Sequence, residues 1–207
     1  MAEIDETITP QMLLGAYCQG FFPMADGRRG ELGWYSPDPR ALQPFLEDDP
    51  LGAFHVRRSL AKFLRGDPPE ITTDRCFADV IEACAVPRSE DDETWISPLI
   101  EQLFTELHHM GFAHSIEAWR GKELVGGLYG LAIGGAFFAE SMYSREPYAS
   151  QACYAWLVDH LRERGYTLLD VQFVNPHLEQ FGVVELPRDR YLEMLGQALC
   201  ESRSWLS

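Results

Sequence analysis

The densest pattern in the chain lies between residues 113 and 143. Three strand-like runs follow one another there, AHSIEAW (113–119), ELVGGLYGLAI (123–133) and AFFAESMY (136–143). Arg120-Gly121-Lys122 and Gly134-Gly135 separate them as hairpin turns, which predicts an antiparallel meander. Helical spacing takes over on either side. Pro10 after Thr9 opens a helix that Gly20 closes, and residues 57–65 are helical. After a short strand at 71–73, Asp74 is read as the cap of a helix through Ala85, with Phe77, Val80, Ile81 and Cys84 on one face. Ser97-Pro98 starts a helix ending near Gly111. Beyond the meander, a helix over 149–164 stops at Gly165 and TLLDVQF (167–173) is a strand. A turn of helix, a strand near 183–186 and a helix from Pro187 finish the chain.

Residues 21–50 break this regularity. They are rich in Gly, Pro and aromatics, too apolar for a linker, with Phe21, Phe22, Trp34 and Tyr35 all wanting burial. The expected organisation is a small N-terminal subdomain over 1–54 packed on a larger domain over 55–207. The fold class is α+β.

Composition narrows the partners. A net charge of −15 favours cationic ligands and disfavours broad nucleic-acid binding, so any RNA contact needs a local basic island. Arg58, Lys62 and Arg65 supply the one compact basic stripe, spaced i, i+4, i+7 on one helix face. It reads as a solvated face or as a phosphate contact. The five cysteines are widely spaced with no Cys-x-x-Cys, as expected of reduced thiols. No apolar run approaches the ~20 residues of a membrane span. The start, MAEIDETITP, is acidic where a leader would be basic. Both features suggest a cytoplasmic protein without a membrane partner.

Two polar features interrupt apolar strands. Asp170 and Gln172 alternate with Leu169, Val171 and Phe173, so both project from one face of a strand. Such groups must be hydrogen-bonded or wet, and the pair reads equally as a site or as structural support. Glu140, within AFFAESMYS, is either a buried partner of Arg145 or Arg88 or a cleft carboxylate that receives a cation. No histidine stands at ligand spacing from a Cys, Asp or Glu, so no metal is expected. His114 is read as a satisfied, half-buried histidine. There is no Gly-x-Ser-x-Gly elbow, Walker motif or dinucleotide fingerprint. The strand-to-helix turn SREPYASQA has no glycine, which argues against a pyrophosphate at that helix start.

Together these segments resemble the leucyl/phenylalanyl-tRNA–protein transferase family. The matching runs are LLGAYCQGFFPM, WYSPDPRA, HVRRSLAKFLR, FADVIEACAVPR with TWIS, LHHMGFAHSIEAW, ELVGGLYGLAIGG, FFAESMYSR, LLDVQFVNPHLEQFG and ELPRDRYLEML, in order over nearly the whole chain. The resemblance implies a mixed sheet flanked by helices, like the acyl-CoA N-acyltransferases. It implies transfer of Leu, Phe or Met from aminoacyl-tRNA to the α-amine of proteins beginning with Arg or Lys, for degradation, by a cytoplasmic monomer without cofactor. Asp170, Gln172 and Glu140 are then the catalytic positions. Tyr17, Trp95, Leu128, Phe137, Tyr154, Leu157, Leu161 and Leu169 line the donor site, and Arg58, Lys62 and Arg65 touch the tRNA. Departures such as Val171 for Cys and Met24 for Trp bear on the choice among Leu, Phe and Met. In the expected chemistry Gln172, polarised by Asp170, orients the amine while its proton leaves toward the tRNA ribose. The alternatives are a sister transferase with another donor or acceptor, a non-catalytic adaptor for basic N-termini, and a CoA-dependent acetyltransferase of the same fold.

Overall fold

The computed structural model describes residues 8–87 and 94–206. Its centre is a seven-stranded sheet ordered β4-β5-β6-β7-β8-β3-β9. The strands are β3 (Arg40–Leu42), β4 (Glu70–Thr73), β5 (Ala113–Arg120), β6 (Glu123–Ile133), β7 (Ala136–Ser144), β8 (Leu168–Gln172) and β9 (Val184–Leu186). Only β7 and β8 run parallel; every other neighbouring pair is antiparallel. β1 (Phe22–Ala25) and β2 (Leu32–Tyr35) form a separate hairpin.

Helices cover both faces. One carries α1 (Pro10–Tyr17), α3 (Phe77–Cys84), α4 (Pro98–His109) and α7 (Arg188–Leu199), around Leu13, Val80, Phe104, Phe138 and Leu195. The other carries α2 (Arg58–Arg65), α5 (Ala149–Glu163) and the short α6 (Pro176–Glu179), around Leu60, Leu128, Phe137, Leu157 and Leu169. Thr9 and Ser97 cap α1 and α4 by accepting from Met12 and Ile100 N–H, each followed by proline in the first turn. The meander, its hairpin turns and the α+β class appear as the sequence predicts.

One expectation changes. Asp74 does not cap α3, whose N-cap is Cys76. Its carboxylate accepts from Ser115 N–H at 3.0 Å and lies 2.8 Å from Nδ1 of His114, tying the loop to β5. Within the sheet, β3 brings residues before 54 together with strands from the end of the chain. Ala41 and Leu42 pair with Gln172 and Asp170 on one side, and with Glu185 and Val184 on the other.

β6 meets α5 by close backbone approach. A Cβ on Gly126 would stand 2.6 Å from Ala149 Cβ and 3.1 Å from its carbonyl carbon. Gly126→Ala is expected to cost about 1–3 kcal/mol by overpacking, read as a lower urea midpoint at unchanged slope.

Candidate active site

Parallel pairing of β7 with β8 runs from Ala136↔Leu168 to Phe138↔Asp170 and stops there. Beyond it β7 continues beside β6 to Ser144 while β8 ends at Gln172, so the two strands part. The gap between them holds a cavity of about 210 Å³. Trp95, Leu128, Tyr154 and Val171 give it apolar walls, and Glu140 and Gln172 supply polar groups. Trp95 is held at the rim by the hairpin, since its carbonyl accepts from Ala25 N–H at 3.1 Å. A larger hollow, about 690 Å³, adjoins this one across Met142 and Asn175. The convergent carboxylate and amide lie in the smaller.

Glu140 enters the cavity because β7 bulges. Tyr129 pairs with Ser141 and Gly130 with Ala139, which leaves Glu140 without an opposite residue. An extra residue of this kind re-aims its side chain. Gln172 is turned by a different device. It sits at φ 59, closed by a Phe173 N–H to Val171 carbonyl bond of 2.6 Å across it, a tight left-handed turn that non-glycine residues seldom adopt. The two side chains then meet, with Gln172 Nε2 donating to Glu140 Oε1 at 3.0 Å. Gln172 Oε1 has no partner among the described residues.

Glu140 keeps some exposure toward the cavity while protein surrounds it elsewhere. Burial pushes its carboxyl up to about 8; the Tyr17 hydroxyl pulls the other way, and the Asp170 carboxylate adds to the rise. Tyr17 itself is fully buried and faces Glu140 outside the geometry of a formed hydrogen bond.

Asp170 is placed differently from expectation. It is completely buried and does not line the cavity. Arg40 grips it through Nε at 2.9 Å from Oδ1 and Nη2 at 2.7 Å from Oδ2. Tyr191 O–H donates to Oδ2 at 2.7 Å, and Gln172 backbone N–H to Oδ1 at 2.9 Å. Asp170 therefore holds the backbone of Gln172, and the carboxylate on the Gln172 side chain is Glu140. Of the cations considered for Glu140, only Arg145 falls among the described residues, and no ion pair joins the two there. Arg145 donates to the Leu124 carbonyl at 3.3 Å, and Arg88 lies outside the described residues.

The donor-site positions divide in three, with Tyr17 buried on the opposite face of the sheet in the cluster around Leu13 and Phe104. Trp95, Leu128 and Tyr154 reach the cavity; Phe137, Leu157, Leu161 and Leu169 are buried in the apolar cluster behind Leu128 and Tyr154. Arg58, Lys62 and Arg65 share the exposed side of α2, whose Leu60 points inward, and form no ion pair among the described residues. Sequence reasoning missed Arg40 and Tyr191. A charged residue within Arg-Ala-Leu, in a chain where the apolar strand LLDVQ carries an aspartate, is the available signal. Among the described residues no cluster of three His, Cys, Asp or Glu could hold a metal.

A family model described as leucyl/phenylalanyl-tRNA protein transferase matches residues 50–196, and the model of that family's N-terminal domain matches 6–38. The chain belongs to the leucyl/phenylalanyl-tRNA–protein transferase family. Relatives carrying that name include one from Chlorobaculum parvum, 47% identical over 91% of this chain and 94% of its own. Another, from Akkermansia muciniphila, is 44% identical over 96% of this chain and 100% of its own. Among solved structures, a ribosomal-protein-alanine N-acetyltransferase from Brucella melitensis aligns with 54% of this chain and 84% of its own, at 17% identity and TM-score 0.38. Within the family assignment, the cavity between β7 and β8 is the candidate active site. No helix among the described residues is long and apolar enough to cross a membrane.

Proposed function

We propose that this family member moves Leu, Phe or Met from aminoacyl-tRNA to the α-amino group of proteins beginning with Arg or Lys, marking them for degradation. The observation that carries the reading is the Gln172–Glu140 bridge in an apolar cavity. The donor side chain enters against Trp95, Leu128, Tyr154 and Val171. A pocket of this kind discriminates by only about 1–3 kcal/mol per methylene, so Leu, Phe and Met share it. The amine of the acceptor meets Gln172 Oε1, and the acceptor's positive charge faces Glu140. Positioning supplies much of the rate, since the donor ester is already activated.

The C–N bond forms through a tetrahedral intermediate, and the ester C–O bond then breaks. An amide oxygen is too weakly basic to keep a proton, so the amine's proton passes to the departing ribose oxygen. The exposed α2 stripe contacts tRNA phosphates. Free thiols at all five cysteines accord with a reducing compartment such as the cytoplasm, where the protein would act as a monomer.

Radiolabelled Leu-tRNA and Phe-tRNA, offered with peptides beginning with Arg, Lys, Asp or Ala, test the reading. Label is expected on Arg and Lys peptides alone. Labelled Asp peptides would overturn the acceptor assignment and revive the sister transferase; bound but unlabelled Arg peptide would make the chain an adaptor. Replacing Arg58, Lys62 and Arg65 together with Ala is expected to raise KM for aminoacyl-tRNA. It should flatten the slope of log affinity against log salt by about 2–3. Transfer from an aminoacyl-adenosine donor should not change. An unchanged salt slope would remove α2 from the interface.

A further inference from the structure

We propose that Arg40 and Tyr191 are positioning residues for the transfer reaction: through the Asp170 carboxylate they fix the Gln172 backbone in the left-handed turn that aims its amide at Glu140. The inference rests on the reading of Gln172 as the residue that meets the acceptor amine. Its basis is how the four groups share two oxygen atoms. Oδ1 of Asp170 takes both Arg40 Nε and the Gln172 N–H, while Oδ2 takes Arg40 Nη2 and the Tyr191 hydroxyl. The carboxylate cannot rotate without breaking the Arg40 fork, and the Gln172 N–H is tied to the same atom.

Arg40 is itself immobilised. Its Nη1 donates to the Gly20 carbonyl at 3.2 Å, and the guanidinium carbon lies 4.7 Å from the Phe22 ring centre and 4.6 Å from that of Tyr191. Both charges are completely out of solvent. A buried ion pair adds little stability over apolar residues of the same volume. What it adds here is direction. A planar fork on a carboxylate defines an orientation that a point charge does not. The beneficiary is the one residue of β8 held at positive φ, whose side chain reaches the cavity. Backbone held against its preference, and over-determined by its surroundings, is characteristic of functional sites.

Tyr191→Phe tests this with least disturbance, deleting one hydroxyl and leaving the ring on Arg40. Single-turnover transfer, with excess enzyme and an Arg-starting peptide, is expected to slow about tenfold, because a small misplacement of a positioned group is enough for that. KM for aminoacyl-tRNA should stay within twofold. The discriminating arm repeats the substitution in a Gln172→Ala background, where no further slowing is expected. A hydroxyl needed only for packing would slow both backgrounds by the same factor, and that result would overturn the proposal. Arg40→Lys keeps the charge and loses the fork. It should show the same pattern and serves if Tyr191→Phe fails to fold by its denaturation midpoint. Wild-type transfer by Tyr191→Phe, with Gln172→Ala impaired, sinks the positioning role alone. Wild-type transfer by Gln172→Ala sinks the reading of the site and this proposal with it.

Discussion

Asp170→Ala is expected to lose transfer mainly by losing the fold. The substitution strands the Arg40 guanidinium, fully buried and gripped by that carboxylate through two nitrogens. It also removes the acceptor of the Tyr191 hydroxyl. Breaking a buried pair from one side costs about 3–5 kcal/mol, a large share of the roughly 5–15 kcal/mol that holds a domain together. Urea denaturation should show the loss directly as a lower midpoint. An inactive Asp170→Ala preparation is therefore poor support for a chemical role. Asp170→Asn, which keeps the shape and two of the hydrogen-bonding positions, is the better probe and should retain more of the midpoint. Midpoints for Asp170→Ala within experimental error of wild type would contradict the clamp.

Glu140→Gln should separate chemistry from stability by pH. Burial holds the wild-type carboxyl up near 8, so it is neutral below that and anionic above. An N-terminal amine titrates at ~7.7–8.0, and only its neutral form attacks. Wild-type kcat/KM with an Arg-starting peptide should then rise with pH through two ionisations, and Glu140→Gln should keep the amine's alone. Losing a charge partner for a desolvated cation costs about 2–5 kcal/mol, roughly 30-fold to several-thousand-fold in kcat/KM above pH 8. Stability moves oppositely. A carboxyl whose folded value is raised contributes fully below its unfolded value near 4.5, and that contribution is lost as pH rises through about 8. Glu140→Gln should melt a few degrees above wild type at pH 9 and match it near pH 4. Parallel pH profiles for the two proteins would remove Glu140 from the reacting centre.

The sequence carried local structure well and long-range pairing poorly. The meander over 113–143 was legible because turn residues punctuate strand-like runs. β1, β2 and β3 were not. Each is only three or four residues long and lies among prolines, and β3 finds its partners about 130 residues or farther downstream, the nearest being Leu42 with Asp170. The Asp170–Gln172 pair stood out as polar groups in an apolar strand, yet Arg40 could be matched to it only once β3 was known to lie beside β8. Strict alternation cannot reveal that Glu140 occupies a bulge, or that Gln172 turns at positive φ. Nor does apolar character distinguish Leu128, which lines the cavity, from Leu157, Leu161 and Leu169 behind it. Asp74 has the composition of a helix cap, but the nearby backbone N–H of Ser115 on β5 won its carboxylate.

The place of β3 between β8 and β9 also sets an order of assembly. Arg40 leaves the ribosome long before Asp170 exists, and its slot in the sheet is not bounded until Val184–Leu186 has been made. The meander can form from neighbouring segments during synthesis, whereas the strand bearing Arg40 must wait for contacts that close a loop of some 130 residues. Until then a guanidinium destined for complete burial stays in water, and Gln172 lacks its anchor. The clamp on Gln172 can be complete only once the chain has been made through Tyr191, which lies beyond β9 and within 20 residues of the last residue.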